Sequence, residues 1–507
     1  MKKLLSLFLA ALLVLGLAPL SLAEEPIEIS LYYSDNATLP FRQDWPVIQT
    51  LEKQYNVKLN FEPIPMGDYS TKAGLTLSTG ENTPDVMLYL STGGAYASYA
   101  LNGAIVPISD YAEWTPHFNA RVEEMGLQQD VDLNRLGDGK LYFLPSLFDL
   151  PFYDGGLILR EDYLVKKGFE APKTFDDLYN IMKAYKEDYP DSYPLTSIVA
   201  LRVVQRMTMP SFGVSVGRNT GTGTGTLSWD YEKKEYFAGA ISQQYKDYIT
   251  FMAKLHAEGL LDPELEQDNA STAKKLATGA AMAVYGYYDQ IGGWEQASEI
   301  EGFKLNMYPP LEGPGGAHHQ PKSKTGSGLL FPIGVSKRPD FEQVVRKLDE
   351  VFYSEEATKL WCFGPEGDSY TMDGDKVVYN DAILSSADGI YKYMQNAYGT
   401  GCAGLQNVWY LERELTKYDD NYARINAEVA AMDNAIQYTV PVPSFDDVTA
   451  EDASLLQTTL LDAFNVWDDE FRTGKKSIEN DWDAYVQDMK DKGIEQFLKL
   501  YNDNKKL

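Results

Sequence analysis

The chain has 507 residues, 44% of them hydrophobic, which is enough to fill the cores of two or three lobes of ordinary size. Its 74 acidic against 45 basic side chains give a formal charge of −29 at neutral pH, which disfavours nucleic acid and anionic membrane surfaces as partners. Two cysteines, Cys362 and Cys402, are too few for a disulfide framework and leave a single bridge undecided.

Lys2 and Lys3, the apolar run from Leu4 to Leu17, and Ser21-Leu22-Ala23 ahead of Glu24 read as a cleavable export leader over residues 1–23. Its removal leaves 484 residues with a charge of −31, because Lys2 and Lys3 are its only charged side chains. Ile27-Glu-Ile-Ser-Leu-Tyr-Tyr then predicts a strand, the stretch from Asp44 to Lys53 a helix, and Val57-Lys-Leu-Asn-Phe-Glu an alternating second strand. Asp44 is placed to cap that helix, with Pro46 in the turn where no amide donor is needed. A second helix stops at Gly80, and Asp85-Val-Met-Leu-Tyr-Leu90 is nearly apolar throughout, as a strand covered on both faces should be. Strands and helices alternating this tightly predict an open parallel sheet, in which strand carboxyl ends face a ligand-binding crevice.

The segment Phe148 to Gly156, rich in bend formers, separates two strand-like stretches and predicts a crossing between lobes. Thr174-Phe-Asp-Asp177 has capped-helix spacing and is followed by the periodic Leu178, Ile181, Met182 and Tyr185. Arg218 to Thr226 is a Gly-Thr loop without a following Gly-Lys-Ser/Thr, so it is no phosphate cradle; Leu227 to Phe237 reads as a hairpin. Ala280 to Tyr285 is a further strand, and Pro309-Pro310 with Gly313-Pro-Gly-Gly316 marks another break. A helix near Phe341 to Tyr353, a turn at Asp373-Gly-Asp375 and a run of helices ending at Lys499 complete the chain. These signals divide it into a first lobe (24–150), a second lobe (151–308), a return to the first (309–360) and a completion of the second (361–507). After the leader, no segment approaches the roughly 20 apolar residues of a membrane helix.

In this order the segments resemble family one of the extracellular solute-binding proteins, the receptor subunits of carbohydrate importers driven by an ATP-binding cassette. The resemblance is carried by Leu51-Glu-Lys-Gln-Tyr-Asn-Val, Thr83-Pro-Asp-Val86, Gly103 to Asp110, Asp138-Gly-Lys-Leu-Tyr-Phe-Leu-Pro145, Leu159 to Leu164, Glu258-Gly-Leu-Leu-Asp-Pro263 and Trp482 to Lys490. Phe363-Gly-Pro-Glu-Gly-Asp-Ser-Tyr370 is similar to a stretch of the larger, lipoprotein-like branch, although the lipobox cysteine usual there is missing at the leader's end. The resemblance implies an α/β fold of the periplasmic-binding-protein-like type II class: two α/β lobes around a ligand cleft, joined by hinge crossings. It further implies an exported monomer, periplasmic or extracellular, that binds a carbohydrate, of oligosaccharide size, and meets the transmembrane subunits of an importer.

By position in that pattern, ligand contacts are expected from Tyr33 and Asp35 after the first strand, Tyr89 and Ser91 at the end of the third, and Phe148, Asp149 and Tyr153 at the crossing. The second lobe offers Tyr287, Tyr288, Asp289 and Trp294. Sugar rings have an apolar face and a polar rim, so aromatic faces beside acids suit them. With 35 Tyr, 21 Phe and 8 Trp the chain is well supplied, although most of these rings must serve packing. The same architecture could hold a peptide or another small solute, for which a fixed charge at a terminus would be needed. A third reading is a secreted carbohydrate-active enzyme. His117, His256 and His318-His319 lie in no nucleophile or metal motif, however, and neither Gly-x-Ser-x-Gly nor His-Glu-x-x-His occurs. Asp132 to Gly137 starts like a calcium loop, but Leu136 and Phe143 stand where ligands belong, so no metal and no cofactor are expected.

Overall fold

The computed structural model describes residues 25–505 except 37–38, 91–95, 150–152, 199–200, 218–223, 266–268, 375, 385, 387–388, 403, 417–419, 433–434, 439, 441–442, 444 and 446. The expected leader therefore lies outside the described residues. Strands β1 (Ile27–Asp35) and β2 (Val57–Pro65) pair in parallel along their whole length, with the helix Pro46–Tyr55 between them. In β2 the alternation seen in the sequence becomes alternation of burial, with Val57 and Leu59 inside and Lys58 and Asn60 outside. Pro46 does open the helix, but Trp45 occupies the cap position, and Asp44 instead pairs with Arg42 at 3.0 Å. The backbone turns there because the Trp45 indole is driven fully into the core, where its Nε1–H donates to the Asn396 carbonyl at 3.1 Å. Gly80 ends the helix Met66–Thr79 at φ +67°, a left-handed conformation that favours glycine.

Strands β3 (Val86–Leu90) and β4 (Phe143–Phe148) complete the first pass through the first lobe. The second lobe is built on β5 (Gly155–Arg160), β6 (Leu195–Ser197), β7 (Ala283–Tyr287) and β8 (Leu305–Tyr308). Thereafter come β9 (His319–Lys322), β10 (Thr325–Leu330), β11 (Val408–Trp409) and β12 (Ile436–Tyr438). The first sheet has the order β11-β4-β10-β3-β1-β2 and is parallel apart from β10, which runs antiparallel to both its neighbours. The second has the order β8-β5-β7-β6, with β5 antiparallel to β8 and β7. Thr174 caps the helix Phe175–Asp188 reciprocally with Asp177, and the hairpin Ser228–Asp230 with Glu235–Phe237 forms as its charged turn predicts.

Each sheet has its own hydrophobic core. The described chain crosses between the cores three times: from Leu147 to Tyr153, from Leu311 to Leu329, and from Tyr410 to Tyr422. This differs from the division read in the sequence. Residues 309–324 stay with the second lobe, where Leu311 is buried and the His319 Nε2 lies 2.7 Å from the Gly155 carbonyl. The described residues of 361–410, expected in the second lobe, belong to the first. The reason is the helix Glu355–Phe363: Trp361 is fully buried, stacks on Phe352 at 5.8 Å and 3°, and donates from Nε1 to the Val351 carbonyl. Tyr370, Tyr379, Met394 and Tyr398 then add to the same core. Cys362 and Cys402 are both buried thiols of this lobe, and Cys362 lies against the Glu414 carboxylate at 3.5 Å. The second lobe is closed by the helices Asp447–Arg472, Ile478–Asp491 and Ile494–Asp503. No described helix is long and apolar enough to cross a membrane.

Candidate ligand-binding cleft

The carboxyl ends of β4 and β11 in the first lobe and of β7 and β8 in the second, with the start of β5, lie next to the stretches where the chain crosses between cores. Parallel pairing of β4 with β11 sets Phe148 opposite Trp409, and the two rings stack at 5.9 Å and 14°. Gly326 on β10 makes room for this, since a methyl group there would lie 3.2 Å from the Phe148 ring. Backbone bonds lock the crossing: the Phe148 N–H donates to the Lys324 carbonyl and the Asp149 N–H to the Trp409 carbonyl, both at 2.9 Å. Burial, aided by Glu412 and opposed by Lys324, holds the Asp149 carboxyl above the usual carboxylate range. Phe148 and Asp149 are half-buried, and so remain open to a ligand.

On the second-lobe side, Lys322 pairs with Asp154 at 2.7 Å. Burial would raise the Asp154 carboxyl, but the ammonium overrides it and keeps the group charged. His319, buried beside this pair, is pushed down to about 3, first by burial and then by Lys322, and so is neutral; its Nδ1 has no partner among the described residues. From the helix Leu201–Thr208, the Arg206 guanidinium donates to the Tyr287 hydroxyl and lies 5.8 Å from the ring centroid. Arg206 has no carboxylate within ion-pair range among the described residues, and its buried Nε has no acceptor. A half-buried guanidinium without a counter-ion is costly to keep, and its planar fork suits vicinal hydroxyls or a carboxylate. Asp289 follows at the end of β7 and reaches solvent. The dense walls beside it and the charge of Asp154 nevertheless push its carboxyl up to about 6, against the pull of Lys392. Lys392 belongs to the first-lobe helix Gly389–Tyr398, which packs on the turn Tyr288–Gln290 and so brings both lobes to one place.

Of the residues singled out in the sequence, Phe148, Asp149, Tyr287 and Asp289 keep accessible side chains at strand ends next to the crossings. Asp35 is half-buried and engaged, accepting the Phe41 N–H at 2.8 Å, so it shapes the loop after β1. Tyr33 is buried against Phe41 and Phe61, with ring centroids at 5.2 and 6.4 Å. Tyr153 is also a core residue: it donates to the Tyr308 carbonyl at 2.7 Å and fills the space a side chain at Gly156 would need. Tyr288 is buried beside Tyr422, its hydroxyl accepting from Asn421 at 3.1 Å. Trp294 is 2% exposed and packs beneath Gly286, so it presents no face to a sugar. Its helix, Ile291–Gln296, turns the indole back under the sheet instead of out into the cleft. The Tyr89 side chain and Ser91 lie outside the described residues. Sequence reasoning missed Arg206, Asp154, Lys322 and Trp409. One signal was available for Arg206, a basic residue flanked by Val203, Val204 and Met207 in a helix otherwise bound for the core.

Two cores, three crossings and a cleft lined by strand ends define a two-lobed α/β solute-binding protein of type II architecture. A family model described as bacterial extracellular solute-binding protein matches residues 47–362, and the chain belongs to that family. The family and its structural relatives are binding proteins and not enzymes. A polygalacturonan/rhamnogalacturonan-binding protein of Bacillus subtilis is 23% identical over 334 residues, 65% of this chain; the match spans 64% of that relative, short of two thirds of its length. A fructooligosaccharide transporter substrate-binding protein of Streptococcus pneumoniae is 21% identical over 90% of this chain and 85% of its own. Among solved structures, a calcium-free alginate-binding protein superposes with TM-score 0.75 at 17% identity, covering 95% of this chain and 98% of that one. An extracellular solute-binding protein of Bifidobacterium longum subsp. infantis gives 0.73 at 18% identity, with 94% and 97% covered. Among the described residues no set of His, Cys, Asp and Glu is grouped to hold a metal ion.

Proposed function

We propose that this protein is the exported, monomeric receptor of an ATP-binding-cassette importer and captures an oligosaccharide between its two lobes without cleaving it. The observation that carries the reading is the cleft itself. Stacked rings at the hinge, Phe148 and Trp409, stand with an uncompensated guanidinium, Arg206, and the accessible Tyr287 and Asp289 on walls that belong to separate cores. Aromatic faces suit the apolar side of a sugar ring, while the carboxylates accept and the guanidinium donates hydrogen bonds at its rim. A ligand that touches both walls binds the closed arrangement better than the open one and shifts the population by that difference in affinity. The importer's transmembrane subunits then recognise the closed form. The names of the Bacillus and Streptococcus relatives, a polygalacturonan/rhamnogalacturonan-binding protein and a fructooligosaccharide transporter substrate-binding protein, support a carbohydrate as the solute.

A thermal-shift screen against a glycan library, followed by calorimetry and product analysis, tests this reading. Saturable binding to a glycan with no new reducing ends is the expected result. Binding confined to peptides, or release of shorter sugars, would refute it.

A further inference from the structure

Beside the cleft a groove of about 1140 Å³ runs along β8, the edge strand of the second-lobe sheet. One wall is the helix Glu161–Lys167 with the loop that follows it, and the other is the helix Asp420–Ala430. Its lining includes Tyr288 and Asp289, which directly follow Tyr287 at the end of β7, and Ile390 and Tyr391 of the first lobe. The groove therefore reaches Asp289 at the end of β7 and is touched by both lobes. Pockets that bury a drug-sized molecule measure about 300–1,000 Å³, so this space alone holds more than one sugar ring. Its surface mixes ring and amide groups, Tyr308 and Asn306 among them, with the 74% exposed Val165 on the outer wall.

Charge decides what could lie there. Arg424 is engaged by Glu428, and Lys304 pairs with Glu295 at 3.0 Å. Glu161, Asp289 and Glu312 have no cation within ion-pair range among the described residues, and Lys173 is the one lining base without a carboxylate. Three acids without a paired cation against one base accept hydrogen bonds from sugar hydroxyls well, but would repel a polymer carrying a carboxylate on each ring.

We infer that this groove is a second part of the ligand site and takes the outer rings of a neutral oligosaccharide whose inner rings lie between the lobes. The inference rests on the receptor reading above and adds the length and charge of the ligand to it. The test is a set of calorimetric titrations of the full exported chain with gluco-, manno- and fructo-oligosaccharides of increasing length, and with oligogalacturonides of matching length. Two variants place a ring in the groove: Ala171→Trp on its exposed loop, and Gly292→Phe, where an added Cβ meets nothing within 4 Å. In the unmodified chain the affinity for one neutral series should rise by about tenfold or more from disaccharide to longer members, and in both variants that rise should collapse relative to the disaccharide. A rise that persists in both folded variants, no dependence on length, or a preference for oligogalacturonides overturns the inference while leaving the receptor reading intact. Binding of no glycan of any series overturns both.

Discussion

Arg206 and Trp294 show how far chemistry and position can part company at the scale of one residue. The Arg206 guanidinium donates to the Tyr287 hydroxyl but has no acid beside it among the described residues, in a protein of charge −29, so part of its hydrogen-bonding capacity is unused within the described fold. Arg206→Met keeps the apolar stem and removes the fork. We expect it to leave the unfolding transition near its original temperature and to weaken glycan binding by about tenfold, or about 1.4 kcal/mol, by calorimetry. Trp294 behaves in the opposite way. Buried under Gly286, it supports the sheet, so Trp294→Ala should cost about 3–5 kcal/mol in denaturant unfolding through loss of packing.

At the scale of elements, local signals hold wherever one turn of chain decides the outcome. The capping box of Thr174 and Asp177, the left-handed stop at Gly80 and the alternating burial of β2 all follow from residues a few positions apart. Thr174→Ala should therefore lower stability by about 1 kcal/mol, read as a shift in the denaturation midpoint with ligand affinity unchanged. Asp44 failed as a cap because a distant element competes for the chain. Trp45 is held by the Asn396 carbonyl and covered by Gly399, whose added Cβ would lie 2.6 Å from the indole. The boundary expected after Leu360 is displaced for the same kind of reason: Trp361, Cys362 and Phe363 read as core in the sequence, but not as the core of one particular lobe.

At the scale of the whole molecule, three crossings between separate cores define a hinge, and closure on a ligand should reduce the radius of gyration in small-angle scattering. Identical profiles with and without a saturating glycan would argue against a closing clamp. Acidity also bears on global stability. Asp468 is buried in the second lobe, accepts from Tyr245 at 2.9 Å and Gln205 at 3.2 Å, and has its carboxyl pushed up to about 6, mainly by burial. Below its unfolded value both states carry the proton and the group contributes no difference. As pH rises toward 6 the unfolded chain ionises first, so stability falls, and above 6 the penalty is constant. Thermal unfolding should therefore show the protein less stable at pH 7.5 than at pH 5. Asp468→Asn, which can still accept from Tyr245, should flatten that slope, the difference being on the order of 2 kcal/mol.

The sequence by itself determined the class of fold, the first β-α-β run, the position of the first crossing and the acidic character of the surface. Each of these depends on periodicity, on turn chemistry or on a sum over residues, and none requires knowledge of distant neighbours. Of the residues it pointed to at strand ends, Phe148, Asp149, Tyr287 and Asp289 keep accessible side chains. Only the tertiary structure decided that Tyr33, Tyr153, Tyr288 and Trp294 turn inward, that Trp361, Tyr370, Tyr379, Met394 and Tyr398 join the first core, and that Arg206 meets Tyr287 across 81 positions of chain. An aromatic side chain is equally suited to a core and to a cleft wall. Which of the two it joins is set by the packing of elements far away in the sequence, and no local pattern carries that information.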